Sequence, residues 1–183
     1  AADGHAVVIN YAGRRDDAEA LAAELNATGA QAIALQADVA DPQAVRQLFD
    51  AIEARFGGID VVVNSAGVLQ LAPLADSDDA LFERVIGINL KGAFNVLRES
   101  ARRVRDGGRI VTLSTSVVGT RLENYSVYAA SKSAVETMGA ILSKELRGRN
   151  ITVNAVAPGP TATDLFLDGK PPELIERLAK MNP

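Results

Sequence analysis

Short apolar runs alternate with longer amphipathic stretches along the whole chain. Residues 6–10 (AVVIN) form a five-residue apolar run that predicts a buried strand. Over residues 16–28, Ala18, Leu21, Ala22 and Leu25 recur at helical spacing, and Gly29 supplies a stop. A second strand is predicted over 32–36. Asp41-Pro42 then combines an N-cap with a proline at the first helical position. The helix begun there puts Val45, Leu48, Phe49, Ile52 and Phe56 on one face and ends at Gly57-Gly58. Residues 59–64 (IDVVVN) predict a third strand, whose continuous apolar run suits a sheet covered on both faces. Further on, the pattern predicts a long helix over 79–104, a strand over 109–114 and a second long helix over about 127–146. A last strand, 151–155, leads into Pro158-Gly159-Pro160.

Strands and helices alternating at this spacing predict right-handed βαβ units and a parallel sheet. The fold class is α/β: a doubly wound, Rossmann-type α/β/α arrangement in three layers, read as a single domain over residues 1–183. A closed eight-fold barrel needs more βα units than this length holds. In open parallel sheets, ligands bind where loops converge at the carboxyl ends of the strands. Small and polar residues gather there: Asp38 after the second strand, Asn64-Ser65-Ala66-Gly67 after the third and Ser114-Thr115-Ser116 after the fourth. Pro158, Gly159, Thr161 and Thr163 follow the fifth.

Composition narrows the chemistry. With 183 residues, 48% hydrophobic and a formal net charge of −4, the chain can bury a core and is not disordered. A sequence pI near 5.1 offers no basic stripe for nucleic acid. The absence of cysteine excludes a disulfide scaffold, a thiolate nucleophile and sulfur-bound zinc. His5 is the only histidine, which argues against a His-paired metal site, so no metal is expected. No apolar run reaches the roughly 18–20 residues of a membrane span, and no signal peptide is read at the start. Cytoplasmic residence is the expectation.

Tyr128-Ala-Ala-Ser-Lys132 opens the second long helix. An i, i+4 pair shares one helix face, so the Lys132 ammonium can approach the Tyr128 phenol. A nearby cation favours phenolate and makes the phenol a usable general acid or base. Of the three tyrosines, only Tyr128 has lysine at +4; Tyr125 has Ala129 and Tyr11 has Arg15.

Five segments in order carry more than that pair: NSAG at 64–67, INLKG at 88–92, LSTSVVG at 113–119, YAASK at 128–132 and NAVAPGPTATD at 154–164. Together they resemble the short-chain dehydrogenase/reductase family, in its compact single-domain, 3-oxoacyl-carrier-protein-reductase-like branch. The resemblance implies a catalytic tetrad. Tyr128 would protonate the carbonyl oxygen in reduction, and Lys132 would lower its pKa and hold the nicotinamide ribose. Ser116 would hydrogen-bond the substrate oxygen, chosen over Ser114 because the family serine precedes the glycine, here Gly119, by three. Asn89 would interrupt the first long helix and position a water. By the same resemblance Asp38 and Val39 border the adenine, and Asn64, Ala66 and Gly67 pack on the adenosine ribose. Pro158 and Gly159 shape the loop under the nicotinamide, and Thr161 and Thr163 reach its carboxamide or the pyrophosphate.

An acidic residue after the second strand of such folds selects NAD. Here Asn10-Tyr11-Ala12-Gly13-Arg14-Arg15 carries none before Asp16, and arginine suits a ribose phosphate. NADP(H) is therefore expected over NAD(H), read by Arg14 or Arg15 with Asn10 and Tyr11. The family pattern begins with a strand and a glycine-rich turn, and closes with a further strand. Neither end is found within these residues. In the family order 3-2-1-4-5-6-7, the first strand lies between those at 6–10 and 59–64. The expectation is that these residues are part of a longer polypeptide, truncated at both ends, or that another segment completes the sheet.

A small or medium carbonyl or alcohol substrate is expected, lined by residues 69–71, 120–125 and 165–178. A homotetramer through the two long helices is expected, with a dimer second. The alternatives are a catalytically inactive dinucleotide-binding regulator, against which Ser116, Tyr128 and Lys132 argue, and a sugar-nucleotide epimerase or dehydratase, against which NSAG argues.

Overall fold

A computed structural model describes residues 1–167 and 171–179. Five strands alternate with helices: β1 Val7–Tyr11, α1 Arg15–Ala27, β2 Ala32–Gln36, α2 Pro42–Phe56 and β3 Ile59–Asn64, then α3 Asp79–Val85 and α4 Ala93–Arg103. β4 Val104–Leu113, α5 Val117–Thr120, α6 Ser126–Glu145, β5 Thr152–Val156, α7 Asp164–Leu167 and α8 Pro172–Ala179 complete the order. All strand pairing is parallel, as β1-β2 and as β3-β4-β5. The parallel ladders with flanking helices are the Rossmann-type arrangement read from the sequence. Among the described residues β1 and β3 do not pair, so the strands form two ladders.

Local chemistry sets the elements. Asp41 caps α2 by accepting from the Gln43 N–H at 2.7 Å, with Pro42 in the first turn. At its other end Gly57 takes φ 76°, a left-handed conformation open to glycine, and its N–H returns to the Glu53 carbonyl. The core packs Val45 and Phe49 of α2, Val96 and Leu97 of α4, and Leu146 against Ile59, Ile110 and Val153 of the second ladder. Arg103 of α4 reaches Asp50 and Glu53 of α2 and the buried Glu99 beside it, fastening these helices.

The structure refines three expectations. The long helix over 79–104 is interrupted around Asn89, as the resemblance implied, and the interruption is a π-helical segment, Ile86–Gly92, between α3 and α4. Such bulges accompany functional sites in helices. β4 begins at Val104 rather than 109, because Val104 pairs with Ile59 before an irregularity shifts the register to Val61↔Arg109. The run at 59–64 is covered on one face only among the described residues. Val61 and Val63 remain 44% and 59% exposed, while Ile110 and Val153 on the other face are buried.

Candidate functional site

The carboxyl ends of β1, β2 and β3 open onto a cleft of about 570 Å³. Asn10, Tyr11, Arg14, Asp38, Val39, Ala66 and Gly67 all line it, so one concave surface gathers seven of the residues expected at the dinucleotide. Asn10 donates through Nδ2 to the carbonyls of Leu35 at 3.2 Å and Ala37 at 3.0 Å, which straps β1 to the end of β2. Arg14 and Arg15 lie exposed at the start of α1. Arg14 Nε stands 3.6 Å from Asp17 Oδ2, and Arg15 bonds Glu19 Oε1 at 2.7 Å, which raises its pKa. These are solvent-screened pairs that a multiply charged ligand could displace. Asp38 is exposed and accepts from the Ala40 N–H at 2.9 Å, while Val39 is buried. Asn64 is buried at the end of β3, in register with Thr112.

A second group meets the cleft at Gly67. Tyr128 and Lys132 stand on the first turns of α6, both buried, with Lys132 Nζ 5.9 Å from the Tyr128 ring centroid. Lys132 Nζ donates to the Leu113 carbonyl at 2.8 Å, at the end of β4. A Cβ placed on Gly67 would lie 3.3 Å from both Lys132 Nζ and Asn89 Oδ1. Glycine here lets the backbone after β3 approach the lysine and the asparagine together.

Asn89 explains why the π-helical segment persists. Its side chain is 1% exposed and serves both backbone groups of Val68: Oδ1 accepts from the Val68 N–H at 2.8 Å and Nδ2 donates to the Val68 carbonyl at 2.9 Å. Nδ2 also reaches Ser131 Oγ at 3.3 Å, and Ser131 Oγ donates to the Tyr128 carbonyl at 2.6 Å. One buried amide therefore joins the loop after β3 to the helix carrying Tyr128.

Ser116 lies at the N-terminus of α5, where its N–H donates to the Pro158 carbonyl at 2.9 Å. That bond brings the loop after β4 against the loop with Pro158 and Gly159. Thr161 Oγ1 bonds the Gly159 carbonyl at 3.1 Å and Thr163 Oγ1 the Thr161 carbonyl at 3.4 Å, so both hydroxyls brace this loop. Of the stretch expected to line substrate at 165–178, residues 168–170 lie outside the described residues. Around Tyr128, Val117 and Tyr125 pack with Leu69, Leu71 and Leu122, an apolar wall with the Tyr125 ring edge-on at 6.2 Å.

The electrostatics depart from expectation in one respect. The Tyr128 phenol is pushed above its ordinary value, first by burial, with the Thr115 hydrogen bond lowering it and Tyr125 raising it. Burial likewise pushes the Lys132 ammonium down from its ordinary value. Burial leads at both groups, and Lys132 Nζ is engaged with the Leu113 carbonyl. Thr115 was not singled out as the phenol's partner, and the sequence signal was present: it lies in the LSTSVVG segment between Ser114 and Ser116. Ser114 turns instead toward α6, where its hydroxyl donates to Glu136. Among the described residues no acidic or histidine cluster could hold a metal ion, and no helix is long and apolar enough to cross a membrane.

A nucleotide-sized cleft at strand ends, joined through a glycine to a buried Tyr/Lys pair, defines a dinucleotide-dependent oxidoreductase class of α/β fold. The family model described as enoyl-(acyl carrier protein) reductase matches residues 1–183. A short-chain type dehydrogenase/reductase of Picea abies is 45% identical over 98% of this chain and 70% of its own length. An NADPH-dependent aldehyde reductase-like protein, chloroplastic, of Arabidopsis thaliana is 43% identical over 98% of this chain and 72% of its own. The structure of a dehydrogenase from Burkholderia cenocepacia with bound NADP superposes with a TM-score of 0.91 at 35% identity, covering 94% of this chain and 66% of that one. The chain belongs to the short-chain dehydrogenase/reductase family, and these relatives are named as reductases and dehydrogenases. It spans between 66% and 72% of the length of these three relatives. The expectation of NADP(H) agrees with the cofactors that two of them name.

Proposed function

We propose that residues 1–183 are a single dinucleotide-binding and catalytic domain that moves a hydride between NADP(H) and a carbonyl or alcohol substrate. The observation that carries this reading is Gly67, which lines the cleft and also lies against Lys132 and Asn89. The nucleotide cleft and the proton-transfer group are thereby one continuous site. When bound, the dinucleotide supplies or accepts the hydride at its nicotinamide ring.

The remaining work falls to the chain. Arg14 and Arg15, with Asn10 and Tyr11 beside them, read the ribose phosphate, and Asp38 with Val39 borders the adenine. Asn64, Ala66 and Gly67 admit the adenosine ribose, while Pro158, Gly159, Thr161 and Thr163 support the nicotinamide end. Tyr128 holds the proton that the carbonyl oxygen receives, and its raised pKa keeps that proton in place through the neutral range. Ser116 orients the substrate oxygen. Lys132, whose Nζ here donates to the Leu113 carbonyl, would hold the nicotinamide ribose hydroxyls. Asn89 holds the loop at Val68 and a water beyond it. Leu69, Leu71, Leu122 and Tyr125 favour apolar substituents on the carbonyl carbon.

Cytoplasmic residence and a homotetramer belong to the same proposal. The tetramer reading is supported by Phe82, Phe94 and Ile141, which leave apolar surface exposed on α3, α4 and α6. Kinetics with a panel of apolar aldehydes and ketones test the function. NADPH is expected to exceed NADH in kcat/KM, and Arg14→Ala with Arg15→Ala to erase most of that preference. A preference for NADH in the unsubstituted protein would overturn the cofactor reading.

A further inference from the structure

Val39 is held against α4 by two contacts that the site described above does not use. Asn95, in the first turn of α4, is 1% exposed, and its Nδ2 donates to the Val39 carbonyl at 2.9 Å across 56 residues of chain. Three residues earlier, a Cβ on Gly92 would fall 2.6 Å from Val39 Cγ2, so the helix backbone lies directly on that side chain. The peptide unit is planar, so fixing the Val39 C=O also fixes the Ala40 N–H on the same plane. That N–H is the group that donates to Asp38 Oδ1 at 2.9 Å. The direction of the Asp38 carboxylate is therefore linked to Asn95 through one peptide unit, and Asp38 and Val39 both line the cleft.

We propose that Asn95 is a positioning residue for the adenine end of the cofactor. It acts through the Val39–Ala40 peptide plane, which aims the Asp38 carboxylate and sets the depth of Val39 in the cleft. This rests on the reading that Asp38 and Val39 border the adenine. A buried amide is an expensive group to keep inside a helix packed on a core, and its removal leaves the Val39 carbonyl without that donor.

The test uses adenosine 2′,5′-bisphosphate, which carries only the adenine half of the cofactor, and NADPH. Asn95→Leu is expected to weaken binding of both about 3- to 10-fold, while kcat at saturating NADPH stays unchanged. In an Asp38→Ala background, Asn95→Leu should add little further loss, because the group it aims is gone. A purely packing role would lower the melting temperature and leave the dissociation constants alone, which would overturn the proposal. Should Asn95→Leu not fold, Gly92→Ala displaces Val39 from the other side and is expected to weaken the same two ligands; unchanged affinity there overturns the proposal equally. If the unsubstituted protein binds neither ligand, the cofactor reading falls and takes this proposal with it. If it binds both and the variants match it, the positioning role alone is refuted.

Discussion

Tyr128 and Lys132 are both more than nine-tenths buried, and burial shifts their pKa values in opposite directions, each toward the neutral form. For a reductase this suits the tyrosine, which must arrive protonated. Replacing Tyr128 with phenylalanine keeps the ring and its edge-on contact with Tyr125 but removes the proton. Turnover is expected to fall about 10²- to 10⁴-fold with NADPH affinity retained, read by steady-state kinetics beside a binding titration. Undiminished turnover would take Tyr128 out of the mechanism. The lysine carries a stability consequence with a definite sign. Its folded pKa lies below the ordinary 10.5, so between those values the unfolded chain binds more protons and stability rises with pH. Tyr128 acts oppositely, since its folded pKa lies above 10.0 and stability is lost once the unfolded phenol ionises. Comparing the protein with Lys132→Met isolates the lysine. The melting temperature of the unsubstituted protein, relative to the variant, should climb as pH rises toward 10.5. A flat difference would mean that the ammonium is not desolvated.

Between Val85 and Ala93 the helix hydrogen-bond ladder is rerouted, and Asn89 takes advantage of the opening to serve Val68. Asn89→Ala would leave the Val68 N–H and C=O without those partners. At roughly 1–3 kcal/mol for each of these two unsatisfied groups, the loss should be about 2–6 kcal/mol in chemical denaturation. A change below about 1 kcal/mol would show that water replaces the amide without cost. The boundaries of most elements were legible because the local signals are strong: Asp41-Pro42 and Gly57 bracket α2, and the apolar runs at 32–36 and 59–64 coincide with β2 and β3. The π-helical segment was not legible as such, since residues 79–104 keep helical periodicity throughout and only the resemblance pointed to an interruption at Asn89. The early start of β4 was hidden because Gly107 and Gly108 separate Val104 from the apolar run at 109–114, although Val104 still pairs with Ile59. In the site, the i, i+4 spacing brought Tyr128 and Lys132 together on one face. It could not reveal that the Leu113 carbonyl would engage the ammonium or that Thr115 would partner the phenol, because both depend on where β4 ends against α6.

Across the described residues, the β3-β4-β5 ladder has two unlike faces. Ile110 and Val153 point into the core beneath α2, α4 and α6. Val61, Val63 and Val156 point the other way and are 44%, 59% and 48% exposed. Paired residues of a parallel ladder share a face, so Val63, Val111 and Asn154 lie side by side, and the valines form one patch rather than scattered positions. A contiguous apolar patch on a sheet differs from single exposed valines in that it offers a flat surface to any apolar solute. The 183-residue chain is therefore expected to bind a hydrophobic dye such as anilinonaphthalene sulfonate in its native state. Val61→Thr with Val63→Thr should reduce that emission. Threonine keeps the β-branched shape that suits a strand, and both side chains are about half in water, so the cost in stability should stay below about 1 kcal/mol. Native-state dye titrations and denaturation curves on the same two proteins separate the outcomes. Lower emission at equal stability supports an open face. Equal emission with a loss of several kcal/mol would mean that the valines are buried in solution, with an assembly partner covering the ladder opposite the helices.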